Sequence, residues 1–153
     1  MKQKEASINR SEHFHSAGSV HFLTGVDNGK LIFGKNEDNF NMPEQLDNRM
    51  MVIADPDDGF GHSFMSFPGM IGLDGGVNED GFEMMTQLNS MKNESMEGCG
   101  ISIFTRHLLT HATTVDNAIR IFQEMPRCAG IAYHVADAKA KDAAVVEPDL
   151  PKV

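Results

Sequence analysis

The stretch SVHFLTGVDNGKLIFGKNED, Ser19 to Asp38, decides the reading of this chain, because two apolar runs flank the pair Asn28-Gly29. A type I′ turn needs positive φ at both central positions, which Asn-Gly tolerates, so the pattern predicts a two-residue hairpin with strands over 19–25 and 30–36. Such a turn sets Asp27 opposite Lys30 and carries Ser19 opposite Asp38, where facing Cβ atoms lie about 4.5–5.5 Å apart. A candidate nucleophile and a candidate orienting acid become cross-strand neighbours. The alternative gives both residues only the turn-capping and hydration duties common at strand ends.

Working outward, 153 residues suit one domain with a sizeable core. A net charge of -9 with no Lys/Arg cluster argues against nucleic acid or an anionic membrane as partner, since both need a basic footprint. A small-molecule substrate fits better. Residues 1–18, MKQKEASINRSEHFHSAG, lack the apolar run of a secretory signal, and no membrane-length apolar stretch occurs elsewhere, so the expected compartment is the cytoplasm. Cys99 and Cys128 are too few and too far apart for a disulfide framework or a metal knuckle and read as reduced structural residues.

After the polar leader and the hairpin, MMVIAD reads as a short strand ended by the turn DPDDG. HSFMSFPGMIGLDGG carries two apolar runs around Pro68-Gly69, and Asn78-Glu79-Asp80-Gly81 is a turn ahead of the strand FEMMTQLN. The period then changes. Ile101, Phe104 and Leu108, and next Val115, Ala118, Ile119 and Phe122, follow helical spacing, with Thr114 as N-cap of the second helix. IAYHVAD and AAVVE return to strands around AKAKD. Strands, a helix pair and further strands predict a layered α+β architecture in which one sheet face lacks cover.

AGSVHF, FGKNEDNF, PGMIGLDGGVNEDGFEMMTQLNS and the stretch ending in IAYHVADAKAKDAAVVE together resemble the first half of the N-terminal-nucleophile (Ntn) hydrolases. The group resembled is that of choloylglycine hydrolase, penicillin V acylase and the isopenicillin N acyltransferases, over about Ala17 to Glu147. The resemblance implies an Ntn-hydrolase-like αββα sandwich, here incomplete, with antiparallel sheets and one antiparallel helix pair. It implies a leader over 1–18, removed to free the nucleophile, and the N-terminal half of the domain over 19–153. It implies hydrolase or acyltransferase chemistry on linear amide C–N bonds of a small acyl-amide substrate. No cofactor and no metal are expected.

Ser19, after Gly18, matches the family's nucleophilic cysteine, while Gly34, Lys35, Asn36 and Asp38 match its GRNxD motif with lysine in place of arginine. A free α-amine has a pKa of about 7.7–8.0 and can serve its own residue as base. Asp38 would orient that amine, Lys35 would assist by charge, and Asn89, matching the family's polar residue after FEMMTQLN, would help stabilise the oxyanion. In a plain hairpin Lys35 points away from the Ser19 face unless a bulge re-aims it. A further oxyanion asparagine and a second arginine of the family fall beyond Val153 by rough alignment. The alternative to catalysis is a truncated, inactive relative that binds a ligand or associates with itself as a homo-oligomer across an exposed sheet face.

Other clusters read as structural. His107 and His111 share a helix face but have no evident third metal ligand, and His13, His15 and His21 sit near the terminus. Asp55, Asp57, Asp58 and Gly59 lack the bidentate glutamate of a calcium loop. Asp74, Gly75 and Gly76 have no following helix to bind phosphate. Met65, Met70, Met84, Met85, Met91 and Met96 read first as core filling, with an acyl-binding pocket as the alternative.

Overall fold

A computed structural model describes residues 7–9, 20–26, 30–36, 47–72, 75–87, 96–128 and 131–147. The strands in chain order are β1 (Ser7–Asn9), β2 (Val20–Val26), β3 (Lys30–Lys35), β4 (Met50–Ala54), β5 (His62–Ser66), β6 (Gly75–Asn78), β7 (Phe82–Gln87), β8 (Ala132–Asp137) and β9 (Asp142–Glu147). Among the described residues two helices, α1 (Ile101–His111) and α2 (Val115–Glu124), stand between β7 and β8. Seven strands form one antiparallel sheet in the order β1-β9-β8-β7-β6-β5-β4, and β2 pairs with β3 in a separate two-stranded sheet.

The large sheet separates two unlike layers. Along β7, Phe82, Met84 and Thr86 are buried while Glu83, Met85 and Gln87 are half-buried, the period of two that sends alternate side chains to opposite faces. One face carries Phe64, Phe82, Met84, Tyr133, Val135 and Val146 against Phe104, Leu108, Leu109, Val115, Ile119 and Phe122 of the helices. The rings of Phe104, Phe122 and Tyr133 meet at centroid distances of 4.7–5.5 Å in tilted or edge arrangements, which suit their quadrupoles. The other face carries Ala132, Ala136 and Val145, on which Leu31 and Phe33 of β3 pack. Helices, large sheet and hairpin thus make three α-β-β layers, the expected antiparallel sheets with one helix pair.

Local chemistry fixes the elements. Asn117 N–H donates to Thr114 Oγ1 at 3.1 Å, and Thr113 N–H donates back to Asn117 Oδ1 at 3.1 Å, a reciprocal cap that starts α2. At the Asn78 turn Gly81 has φ +87°, a conformation that costs glycine nothing. Buried Asn78 donates through Nδ2 to Leu109 O at 3.0 Å and Ala112 O at 2.8 Å and accepts from Phe82 N–H at 2.9 Å. It thereby satisfies carbonyls that the end of α1 leaves without intrahelical partners. Asp137 closes the AKAKD turn by accepting from Lys139 N–H at 2.9 Å and Ala140 N–H at 3.1 Å.

One expectation, the hairpin register, is corrected, and two strands fall where the sequence pattern draws none. The hairpin does not keep the register of a two-residue turn: Val20 pairs with Lys35, where that turn would set it opposite Glu37. Val26 pairs with Lys30, so three residues join the strands, and an irregularity between Leu23 and Val26 takes up an extra residue in β2. The direct opposition of Ser19 and Asp38 therefore does not follow from the ladder. The second apolar run before the Asn78 turn is not a strand. β6 falls on GGVN instead, where glycine at 76 permits a close approach: a Cβ there would come within 2.4 Å of Ser63 O and 2.9 Å of Leu109 Cδ1. Within the polar leader, Ser7–Asn9 pairs with β9, setting Ile8 opposite Val146.

Candidate active site

Of the four residues expected to carry chemistry, Ser19, Asp38 and Asn89 lie outside the described residues. Lys35 is described: it ends β3, opposite Val20, and is half-buried. It alternates with Leu31 and Phe33, whose side chains pack on the large sheet, so the same strand period brings its stem to the layer between the two sheets. The hairpin irregularity lies at Leu23 to Val26, at the other end from the Val20–Lys35 pair.

A residue the sequence reading passed over faces the same layer. His134 lies between Ala132 and Ala136 on β8, opposite Met85 of β7 and Val145 of β9, and is 3% exposed. Burial, and then the positive charge of Lys35, lower its pKa from 6.5 to about 4. The imidazole is therefore neutral at neutral pH and adds no positive charge beside Lys35. Glu83, opposite Ala136, adds a carboxyl whose pKa burial raises. The signal for His134 was available in IAYHVAD, where alternation groups it with two alanines and apart from Tyr133 and Val135.

The other clusters behave differently. The rings of His107 and His111 lie 4.4 Å apart, and burial followed by His111 lowers the pKa of His107. No group of three His, Cys, Asp or Glu that could hold a metal ion occurs among the described residues. The methionines do not share one pocket: Met84 is fully buried against the helices, whereas Met65, Met70 and Met96 are exposed; Met91 lies outside the described residues. The DPDDG turn folds onto α1, with Phe60 N–H donating to Thr110 O at 2.8 Å. No described helix is long and apolar enough to cross a membrane.

A half-buried lysine near the start of GKNED, at the end of β3 and facing an inter-sheet layer, is the arrangement on which the comparisons bear. The family model of acyl-coenzyme A:6-aminopenicillanic acid acyl-transferase matches residues 25–152. The chain belongs to this family. The match places it in the Ntn linear-amide hydrolase group; it includes Lys35, Asp38 and Asn89 and begins after Ser19. No curated protein matches the chain. A solved structure of penicillin V acylase from Agrobacterium tumefaciens is similar at 12% identity and a TM-score of 0.49, over 94% of this chain and 43% of that one. The chain thus spans less than half the length of that relative.

Proposed function

We propose that this acyl-transferase family member acts on linear amide C–N bonds through an N-terminal nucleophile, Ser19, freed by removal of residues 1–18. The single observation that carries the reading is the family match over the motif GKNED, with Lys35 of that motif facing the layer between the sheets. Ser19 Oγ attacks the acyl carbon of the amide and passes its proton to its own α-amine. Asp38 orients that amine, and Asn89 with a backbone N–H stabilises the oxyanion. The tetrahedral intermediate expels the amine leaving group, which takes the proton back. Water then releases the acyl group from Ser19, or a second amine accepts it. Lys35 supplies positive charge to the reacting carbonyl, and neutral His134 adds no second positive charge beside it.

Intact mass and penicillin V turnover, measured on the same preparation, test this reading. Loss of residues 1–18 together with release of the acyl product is expected, with turnover abolished by Ser19→Ala. Lys35→Ala is expected to lower kcat/KM about tenfold or more, roughly 1.4 kcal/mol of transition-state stabilisation, at unchanged Tm. Turnover by a chain whose Gly18-Ser19 bond is intact would sink the mechanism.

A second reading, a non-catalytic self-associating relative, is favoured by one observation. The hairpin covers β8 and β9 but leaves Ile53 80%, Met51 65% and Met65 44% exposed on the same sheet face. β4 is also an edge strand among the described residues, so its backbone and its apolar face both suit a second copy of this chain. An acyl-amide inert chain beginning at Ser19 that sediments as a dimer, and as a monomer after Ile53→Lys, supports this reading over the first.

A further inference from the structure

Cys99 and Cys128 are separated in sequence by the whole helical layer yet meet in space. Cys99 stands in parallel register with Arg127. Its N–H donates to Pro126 O at 2.9 Å, and Cys128 N–H donates to Cys99 O at 3.1 Å. Standard backbone lengths on either side of that second hydrogen bond hold the two Cα atoms within about 7 Å, and the usual bend at the carbonyl brings them closer, into the span that disulfides bridge. Gly98 permits the approach. A Cβ there would lie 2.1 Å from the Arg127 carbonyl carbon and 2.5 Å from Cys128 N.

Both cysteines are free thiols, and both are half-buried. Burial, followed by the neighbouring Cys128, raises the pKa of the Cys99 thiol, so two thiolates here oppose one another. Tyr133 reports the same proximity: burial first, and then Cys128 and Cys99, raise its hydroxyl pKa against the opposing effect of Arg127.

We infer that Cys99 and Cys128 form a covalent-modification site, a dithiol that a small-molecule disulfide, oxidised glutathione, converts into an internal disulfide. One protein thiolate attacks a glutathione sulfur, breaks the S–S bond and releases one glutathione thiolate. The second protein thiolate attacks the protein sulfur of the mixed disulfide and releases the other glutathione. The protein pair loses two electrons, the small disulfide gains them, and the two thiol protons end on two molecules of glutathione. The new bond closes residues 99–128, a loop that contains all of α1 and α2, so the helical layer is tied together at its base. The inference is independent of the proposed acyl chemistry.

The test uses the full chain in glutathione redox buffers, read by intact mass and by mapping of the peptides that contain Cys99 and Cys128. The folded chain is expected to become lighter by two hydrogens at a glutathione poise about tenfold or more less oxidising than the same chain needs in urea, because folding raises the effective concentration of one thiol at the other. Its Tm should rise and return to the starting value with dithiothreitol, whereas Cys99→Ser should give only a glutathione adduct on Cys128 and no rise. Glutathione adducts on both cysteines of the folded chain, a link only between two chains, or equal ease of closure in urea would each overturn the inference.

Discussion

His134 makes the stability of the fold depend on acid in a direction that can be worked out. Its native pKa is about 4 against 6.5 for an ordinary histidine. Between those values the unfolded chain binds a proton that the native chain refuses. Stability therefore rises with pH across this window, and below about pH 4 both states are protonated and the dependence stops. The full difference is about 3 kcal/mol, of which about 2 kcal/mol is lost between pH 7 and pH 5. That is a large fraction of the roughly 5–15 kcal/mol that holds a domain folded. Lys35 and Glu83 face the same layer, and Glu83 acts in the opposite sense. Burial raises its native pKa, so its carboxyl stabilises the fold at low pH and loses that contribution as pH rises through the raised value. The comparison must therefore be a difference between variants. Urea unfolding of the native sequence and of His134→Gln at pH 5, 6 and 7 isolates the histidine, since glutamine has no proton to gain. The stability gap between the two proteins should shift by about 2 kcal/mol in favour of His134→Gln on going from pH 7 to pH 5. A gap that stays constant over this range would refute the placement of His134 as a buried neutral imidazole beside Lys35.

Three further substitutions test the framework on the helix side of the sheet. Asn78→Ala removes one acceptor and two donors that join the Asn78 turn to the end of α1, and the three lost hydrogen bonds should lower unfolding free energy by about 3 kcal/mol in urea. Arg127 donates to Phe122 O and Met125 O at the end of α2 while its guanidinium lies 5.3 Å from the Phe104 and Phe122 ring centroids. Arg127→Met keeps the stem but leaves both carbonyls without that donor, so a loss of about 2 kcal/mol is expected by the same assay. Gly76→Ala should lower Tm by several degrees, because the added methyl has backbone on one side and Leu109 on the other.

What the sequence disclosed and what it hid differ in physical kind. The helices could be read because the spacing of Phe104 and Leu108, and of Val115, Ala118, Ile119 and Phe122, states a period and Thr114 states a start. The turn at Asn78 to Gly81 and the strand after it were likewise local, as was the loop between β8 and β9. The hairpin register was not. Asn28-Gly29 favours a tight turn, but the ladder takes up an extra residue of β2 between Leu23 and Val26, which no dipeptide encodes. Ser7–Asn9 is three polar or mixed residues with no period, and it is a strand by virtue of the edge of β9. Of the candidate site, Lys35 was legible as a motif position, while His134 depended on which face of β8 received the hairpin.

The same alternation that builds β7 and β8 divides the polar groups of the protein by purpose. On the helix side three of the buried polar groups serve helices: Asn78 binds carbonyls at the end of α1, Arg127 binds carbonyls at the end of α2, and Thr105 donates within α1 to Ile101 O at 2.8 Å. Their hydrogen bonds account for their burial. On the hairpin side, Glu83 and His134 have their ionisation shifted by burial, and His134 also by Lys35, in a layer where Leu31 and Phe33 pack on Ala132, Ala136 and Val145. Structural need does not require titratable groups there, since apolar side chains of similar size would pack the two sheets at no desolvation cost. Perturbed ionisable groups gathered where packing alone would exclude them are a physical signature of a reacting site. Burial shifts Tyr133 on the helix side as well, so what favours the inter-sheet layer for the proposed chemistry is the motif residue Lys35 beside His134.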